Sequence, residues 1–98
     1  MKLSYHLRVQ AEVNEAVDWY EEQSPGLGED FFAKLKEALV QIEAHPEGFS
    51  FWLSSVSVRR AKLRRFPYDV LYEIRPGRIR ILCLRHEKRH PRYGIGRL

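Results

Sequence analysis

The sequence predicts an α+β fold in which a hairpin of two helices packs on one face of an antiparallel sheet. In the first half of the chain, apolar residues recur three and four positions apart, which is the helical pattern. In the second half they recur at every second position, which is the pattern of strands. The predicted order is a strand, two helices and then further strands, so the sheet has three to four strands.

The chain begins with a short predicted strand, because polar and apolar side chains alternate in the stretch KLSYHL at residues 2–7. From residue 9 the spacing becomes helical, which predicts a first helix over residues 9–23. Its apolar face consists of Val9, Val13, Ala16, Val17 and Tyr20. The stretch SPGLGED that follows ends this helix and forms a tight turn.

A second helix follows the turn. Glu29 and Asp30 place negative charge in its first turn, where the helix dipole favours it. Pro46 cannot continue the backbone hydrogen bonding, so the helix is predicted to end near residue 44. The apolar stripe of this helix is Phe31, Phe32, Leu35, Leu39 and Ile42. Two helices joined by a short turn should pack as a hairpin.

Three strands in a meander are predicted after residue 49. Their inward positions are Val56 and Val58, then Ala61 and Leu63; Val70, Tyr72 and Ile74; and Ile79, Ile81 and Cys83. The stretch FPYD forms one turn, and Pro76 and Gly77 suit the centre of a type II turn. Arg60, Lys62 and Arg64 alternate with the apolar positions, so we expect the other face of the sheet to be open to water.

Length and composition indicate a single globular domain over residues 1–98, because 98 residues cannot bury two cores. The one cysteine, Cys83, cannot form an intramolecular disulfide, and we expect it to be a small core residue. No stretch is apolar enough for a signal peptide or a membrane span. The sequence therefore predicts a cytoplasmic protein without membrane contact.

Charge is divided unevenly along the chain. Residues 1–50 contain four Lys or Arg against ten Asp or Glu, and residues 51–98 contain thirteen against three. The two halves thus carry about −6 and +10. A field of one sign attracts ligands of the other sign, so the second half is expected to bind an acidic partner, either nucleic acid or protein.

Most common catalytic and cofactor motifs are absent. The two Gly-x-Gly stretches lack the third glycine of a dinucleotide loop, and no phosphate-binding Gly-Lys-Ser/Thr motif or Gly-x-Ser-x-Gly elbow occurs. His86 and His90 are four residues apart but have only Glu87 as a nearby third ligand, so we expect no metal. No cofactor is predicted.

The basic cluster of the second half allows three interpretations. RNA cleavage by its own 2′-hydroxyl needs proton-transfer groups and cations that stabilise the phosphate. His86 or Tyr93 could transfer protons, while Lys62, Arg85 and Arg89 could hold phosphate oxygens. The same residues would also serve to bind an acidic protein. The third interpretation is a solvated sheet surface whose charges prevent aggregation.

Three stretches together resemble the RelE/ParE superfamily of bacterial toxins. They are EAVDWYEEQSPGLGEDFFAKLKEALVQIEAHPEGF, LRRFPYDVLYEI and HEKRHPRYGIGR, in the order found in that superfamily. The resemblance implies the toxin of a type II toxin–antitoxin pair, with a cognate antitoxin that wraps an acidic segment around it. The residues it implies for binding the antitoxin or the target are Arg60, Lys62, Arg64, Arg65, Arg89, Arg92, Tyr93 and Arg97.

The superfamily has two activities, and the resemblance favours the ParE-like one, which acts on DNA gyrase without being a nuclease. The RelE-like branch cleaves messenger RNA on the ribosome and tends to carry an arginine where this chain has Asp69, whose charge would repel the phosphate. A RelE-like ribonuclease using His86, Arg89 and Tyr93 is the alternative, together with a non-toxic relative. Gly94 departs from the ParE-like pattern, in which tryptophan often follows the aromatic residue.

Overall fold

A computed structural model describes residues 1–98 and contains four strands and two α-helices. Their bounds are β1 Lys2–Tyr5, α1 Val9–Gln23, α2 Leu27–Ala44, β2 Val58–Lys62, β3 Tyr68–Arg75 and β4 Arg78–His86, with a 3-10 turn at Pro46–Gly48. The predicted order of a strand, two helices and three strands is confirmed. The first strand is two residues shorter than predicted, and the second helix ends where Pro46 requires.

The four strands form one mixed sheet in the order β1-β4-β3-β2. Strands β2, β3 and β4 are the predicted antiparallel meander. Strand β1 joins the edge of β4 in parallel, with Leu3 opposite Ile79. Gly77 has a φ of 73°, as the second central residue of a type II turn requires.

The turn between the two helices is organised by Glu21. Its carboxylate accepts hydrogen bonds from the backbone nitrogens of Gly26, at 3.0 and 3.1 Å, and of Gly28, at 3.1 Å. Gly28 lies so close to α1 that a Cβ would be 2.8 Å from the Val17 carbonyl oxygen. Glycine is therefore required at position 28 for the hairpin to close.

The main core lies between the helical hairpin and the sheet. Four aromatic rings form its centre, with centroids 4.9–5.2 Å apart between Tyr20 and Phe31, Tyr20 and Phe66, and Phe31 and Phe66, and 5.0 Å between Phe31 and Tyr68. Buried Tyr72 donates to the Pro46 carbonyl oxygen at 2.5 Å, and burial raises its pKa to about 12. These contacts fix α1 and α2 on the sheet face formed by Ala61, Val70 and Leu84.

A β-bulge changes the side of the sheet on which Cys83 lies. Leu71 pairs with Cys83 and Tyr72 pairs with Ile81, so Leu82 is an extra residue in β4. Leu82 and Cys83 therefore both belong to a second cluster, on the face away from the helices. The sequence pattern placed Cys83 with Ile79 and Ile81, and the bulge makes that assignment wrong.

The second face of the sheet is also covered, contrary to the expectation of a face open to water. Its cluster of Val58, Leu71, Leu82 and Cys83 packs under Trp52, Tyr93 and Ile95. Two of the covering residues belong to residues 87–98, which fold back over the sheet and are called the strap below. Val56, predicted to face inward, is 87% exposed, because residues 53–57 form a loop before β2 begins.

Candidate functional site

The strap is fastened to the sheet along its length. The Trp52 indole donates to the Pro91 carbonyl oxygen at 2.8 Å, and Arg97 Nη1 donates to the Leu82 carbonyl oxygen at 3.0 Å. The Leu98 carbonyl oxygen accepts from Arg75 and Arg80, at 2.8 and 3.0 Å. These bonds join the strap to Trp52, to β3 and to β4.

Gly94 is the closest point of contact between the strap and the sheet. A Cβ on Gly94 would lie 2.4 Å from Cys83 Sγ, and the residue has a φ of 80°. No L side chain fits this position without moving the strap. A tryptophan at position 94 would therefore require a different path for the strap.

Glu12 connects α1 to the strap across the free edge of β4. Since β1 ends at Tyr5, the backbone of Leu84 has no strand beside it, and Glu12 Oε1 accepts from the Leu84 nitrogen at 3.1 Å. Glu12 Oε2 accepts from the Tyr93 hydroxyl and lies 2.8 Å from Arg97 Nη2. Burial and the hydrogen bond to Glu12 raise the pKa of Tyr93.

A buried ion pair lies under the first turn of the strap. Asp69 is fully buried, Arg85 is 3% exposed, and Arg85 Nη2 lies 2.7 Å from Asp69 Oδ2. Arg60 Nε donates to the same oxygen at 2.9 Å. Arg85 Nη1 donates in addition to the carbonyl oxygens of Arg89, at 3.0 Å, and Glu87, at 3.4 Å. The pair thus shapes the turn that presents Arg89.

The five residues considered for RNA cleavage are not assembled at one site. Lys62 and Arg85 lie on the second face, where Lys62 Nζ is 2.8 Å from Glu87 Oε1. His86 lies on the helix side, with its ring 4.9 Å from that of Tyr68. Only His86, Arg89 and Tyr93 line a common pocket, which has a volume of about 40 Å³.

The eight residues considered for binding divide by exposure. Arg60, Tyr93 and Arg97 are partly buried in the contacts described above. Lys62, Arg64, Arg65, Arg89 and Arg92 are exposed. Arg64 and Arg65 form only long ion pairs with α2, at 3.5 Å to Glu37 and 3.9 Å to Asp30. The exposed cations lie at the end of β2, in the following turn and on the strap, where a partner can reach them.

Two residues that organise this region carried no local sequence signal. Glu12 lies 72 positions before the Leu84 nitrogen that it binds, and Trp52 lies in a loop without periodicity. The Trp52 ring is 5.0 Å from the guanidinium of Arg60 and 4.8 Å from that of Arg85. The detectable signal was Asp69, an acid within a strongly apolar strand and beside many arginines, which is typical of a buried ion pair.

An apolar groove lies on the other side of the molecule, between the start of α1 and α2. Its volume is about 500 Å³, and Val9, Leu35 and Leu39 are among its mainly apolar lining residues. Leu7 and Phe32 also line it and are 85% and 42% exposed. Exposed apolar surface of this kind commonly marks a protein contact.

No helix is long and apolar enough to cross a membrane, and no three His, Cys, Asp or Glu residues are grouped closely enough to hold a metal.

Comparison with known proteins gives one family and a similar structure. A family model described as the ParE toxin of the type II toxin-antitoxin system, parDE, matches residues 3–91. A solved structure titled "Chromosomal ParDE TA system from P. aeruginosa" is 18% identical, with a TM-score of 0.76 over 88% of this chain and 95% of that chain. This likeness concerns the fold. No curated protein matches the chain.

Proposed function

The chain belongs to the ParE toxin family of type II toxin–antitoxin systems, and on this premise we propose that it blocks an essential protein target, DNA gyrase, by binding to it. A cognate antitoxin neutralises it by covering its exposed cations and its apolar groove. The protein acts as a binding partner and not as a nuclease.

The observation that carries the proposal is the state of the cations that RNA cleavage would need. A reacting phosphate must be stabilised by positive charges that are free to contact it. Arg85 is buried against Asp69, and Lys62 is paired with Glu87 on the face opposite His86. Use of Arg85 in catalysis would require its buried pair with Asp69 to be broken, whereas binding to a protein through the exposed cations does not.

The hydroxyl of Tyr93 is also poorly suited to proton transfer. It is hydrogen-bonded to Glu12 and to Arg97 Nη2, the latter at 3.1 Å. Its raised pKa moves the group away from neutrality, and proton-transfer groups work best with a pKa near the working pH. Tyr93 serves instead to fasten the strap to α1.

Two surfaces support neutralisation by an antitoxin with an acidic, amphipathic segment. The exposed cations Arg64, Arg65, Arg89 and Arg92 provide electrostatic attraction. The groove lined by Leu7 and Phe32 offers apolar contact to one face of a partner helix. An acidic segment with one apolar face would satisfy both surfaces.

One observation favours the rival function of a ribosome-dependent ribonuclease. His86, Arg89 and Tyr93 do line a common pocket, although it is smaller than a nucleotide. A relative without toxicity is the remaining alternative, because a fold does not determine a function.

The experiment that tests the proposal is induction of this protein without its antitoxin in a bacterial host. Growth, plasmid supercoiling and transcript 5′ ends are followed together, with an uninduced culture as control. We expect growth arrest with altered supercoiling and no new 5′ ends. New ends at phased positions within codons would establish the ribonuclease instead, and unimpaired growth would contradict both toxin functions.

A further inference from the structure

A second concave site lies between the C-terminal half of α1 and the end of β4. Its volume is about 690 Å³, within the range of roughly 300–1,000 Å³ typical of ligand pockets. Its lining combines three carboxylates of α1 with aromatic rings, Pro67, His86 and Arg89. We call it the α1 cleft; Arg89 is the one lining residue that it shares with the contacts proposed above.

The carboxylates of the cleft have no bonding partner within the fold. Helix α1 has five acidic residues and no Lys or Arg. Glu12 binds the strap and Glu21 caps the turn between the helices. The other three, Glu15, Asp18 and Glu22, form no ion pair or side-chain hydrogen bond, and all three line the α1 cleft.

The arrangement of these three carboxylates opposes helix stability. Glu15 and Asp18 are three residues apart and Asp18 and Glu22 are four apart, so like charges are neighbours on the helix surface. Glu22 also lies in the last turn, where the helix dipole disfavours negative charge. A local arrangement that costs stability without compensation within the fold is typical of a functional site.

Aromatic faces complete the cleft. Trp19 is 55% exposed and stands at 89° to the ring of Tyr20, and Tyr68 is a further aromatic residue of the lining. Arg89 is the one permanent cation in the lining, and its guanidinium lies 4.8 Å from the Tyr93 ring, without an ion pair to α1. With three carboxylates, one guanidinium and neutral histidine, the lining has a formal charge of −2.

We propose that the α1 cleft binds an arginine side chain of a partner protein. A planar guanidinium can stack on an exposed Trp or Tyr ring while its fork donates to carboxylates, and a lysine ammonium lacks both the plane and the fork. The lining favours a cation by charge and arginine by shape. The proposal does not depend on gyrase or on the antitoxin, because it rests on the three carboxylates and the aromatic rings of the cleft, none of which is assigned to those partners.

The test is an NMR titration of the full chain with acetylated, amidated Gly-Arg-Gly, and with Gly-Lys-Gly and Gly-Glu-Gly peptides for comparison. We expect saturable shifts of the Trp19 indole and Tyr68 ring signals with the arginine peptide, at a dissociation constant on the order of 1 mM. The lysine peptide should bind more weakly and the glutamate peptide not at all. Equal binding of the arginine and lysine peptides, or no saturable shift, would overturn the proposal.

Removal of the three carboxylates by substitution provides a second test of the proposal. The variant Glu15→Gln, Asp18→Asn, Glu22→Gln should bind the arginine peptide at least about tenfold more weakly and melt at a higher temperature than the parent. The matched control Glu29→Gln, Glu43→Gln, Glu47→Gln removes three exposed carboxylates outside the cleft and should keep parental affinity. Retained affinity or a lower melting temperature in the cleft variant would contradict the inference. The two proposals can fail separately. If the induced protein leaves supercoiling unchanged but the chain still binds the arginine peptide, the proposed action on gyrase fails and the assignment of the cleft stands.

Discussion

Asp69 has a role in the fold that differs from the one its sequence context suggests. Its position in the chain suggested a charge that repels a substrate phosphate. In the fold it is fully buried in β3, where it accepts hydrogen bonds from Arg60 and Arg85. Its charge neutralises an arginine that reaches under the strap. The acid is therefore part of the scaffold of the basic turn at Arg89.

The Asp69→Asn substitution tests this scaffold role. Removing one partner leaves Arg85 buried and uncompensated, and breaking a buried pair in this way costs about 3–5 kcal/mol. We expect a loss of that size in the free energy of unfolding measured with urea. The control Arg64→Ala removes only a long, exposed contact to Glu37 and should change stability far less. A loss in Asp69→Asn no greater than in the control would contradict the role given to the pair.

At the scale of elements, the strap is the segment whose position depends most on a single residue. Gly94 allows the backbone of the strap to lie directly on Cys83, with no room for a side chain. Cys83 is fully buried beneath it, and burial raises the pKa of its thiol to about 12. The thiol is thus protected both by coverage and by remaining protonated at neutral pH.

Gly94→Ala should displace the strap and expose Cys83. The added Cβ would overlap Cys83 Sγ, and alanine also disfavours a φ of 80°. We expect the thiol to react with a disulfide reagent at pH 8 at least about tenfold faster than in the parent, because opening of the strap restores an ordinary thiol pKa near 8.5. Gly96→Ala is the matched control, since a Cβ there meets nothing within 4 Å. Equal rates in the two variants would refute this account of the strap.

The elements that could be predicted from sequence are those set by local periodicity and turn residues. Helix α1 has the predicted bounds of residues 9 and 23, and the Pro76-Gly77 turn joins β3 and β4 as expected. The coverage of the second face could not be predicted, because it depends on residues far away in the chain. The sheet face on which Cys83 lies was predicted wrongly, because the one-residue bulge at Leu82 shifts the alternation of faces and has no recognisable sequence pattern.

The candidate site was predictable in part for a similar reason. The sequence identified the cations at the end of β2 and on the strap, because Lys and Arg residues can be read directly from it. It could not separate the exposed ones, such as Arg92, from Arg85 and Arg97, which are used inside the fold. That difference is set by burial and by partners such as Glu12, which become neighbours only in three dimensions.

At the scale of the whole molecule, the division of charge along the chain becomes a division in space. The acidic first half forms the helical hairpin, and the basic second half forms β2, β3, β4 and the strap. A partner of net negative charge is therefore attracted first toward the sheet and strap side. Under the proposed function, we expect this polarity to orient an acidic antitoxin before any short-range contact forms.

Charge reversal at Arg89 tests this orientation. Arg89→Glu should slow association with the acidic antitoxin about tenfold at low salt, and the difference from the parent should shrink as salt increases. Arg78→Glu makes the same change in net charge at the other end of β4 and serves as control. The measurement is the association rate by surface plasmon resonance. Equal effects of the two variants would show that only net charge matters.

The pairing of β1 with β4 also constrains when the molecule can fold during its own synthesis. Strand β1 is translated first, but its partner residues 78–81 emerge only after both helices and two further strands. The nascent chain can form its helical hairpin early, while the edge of the sheet and the contact between Glu12 and Arg97 must wait. The complete sheet, and the position of the strap that packs on it, can therefore form only after β4 and the strap have been synthesised.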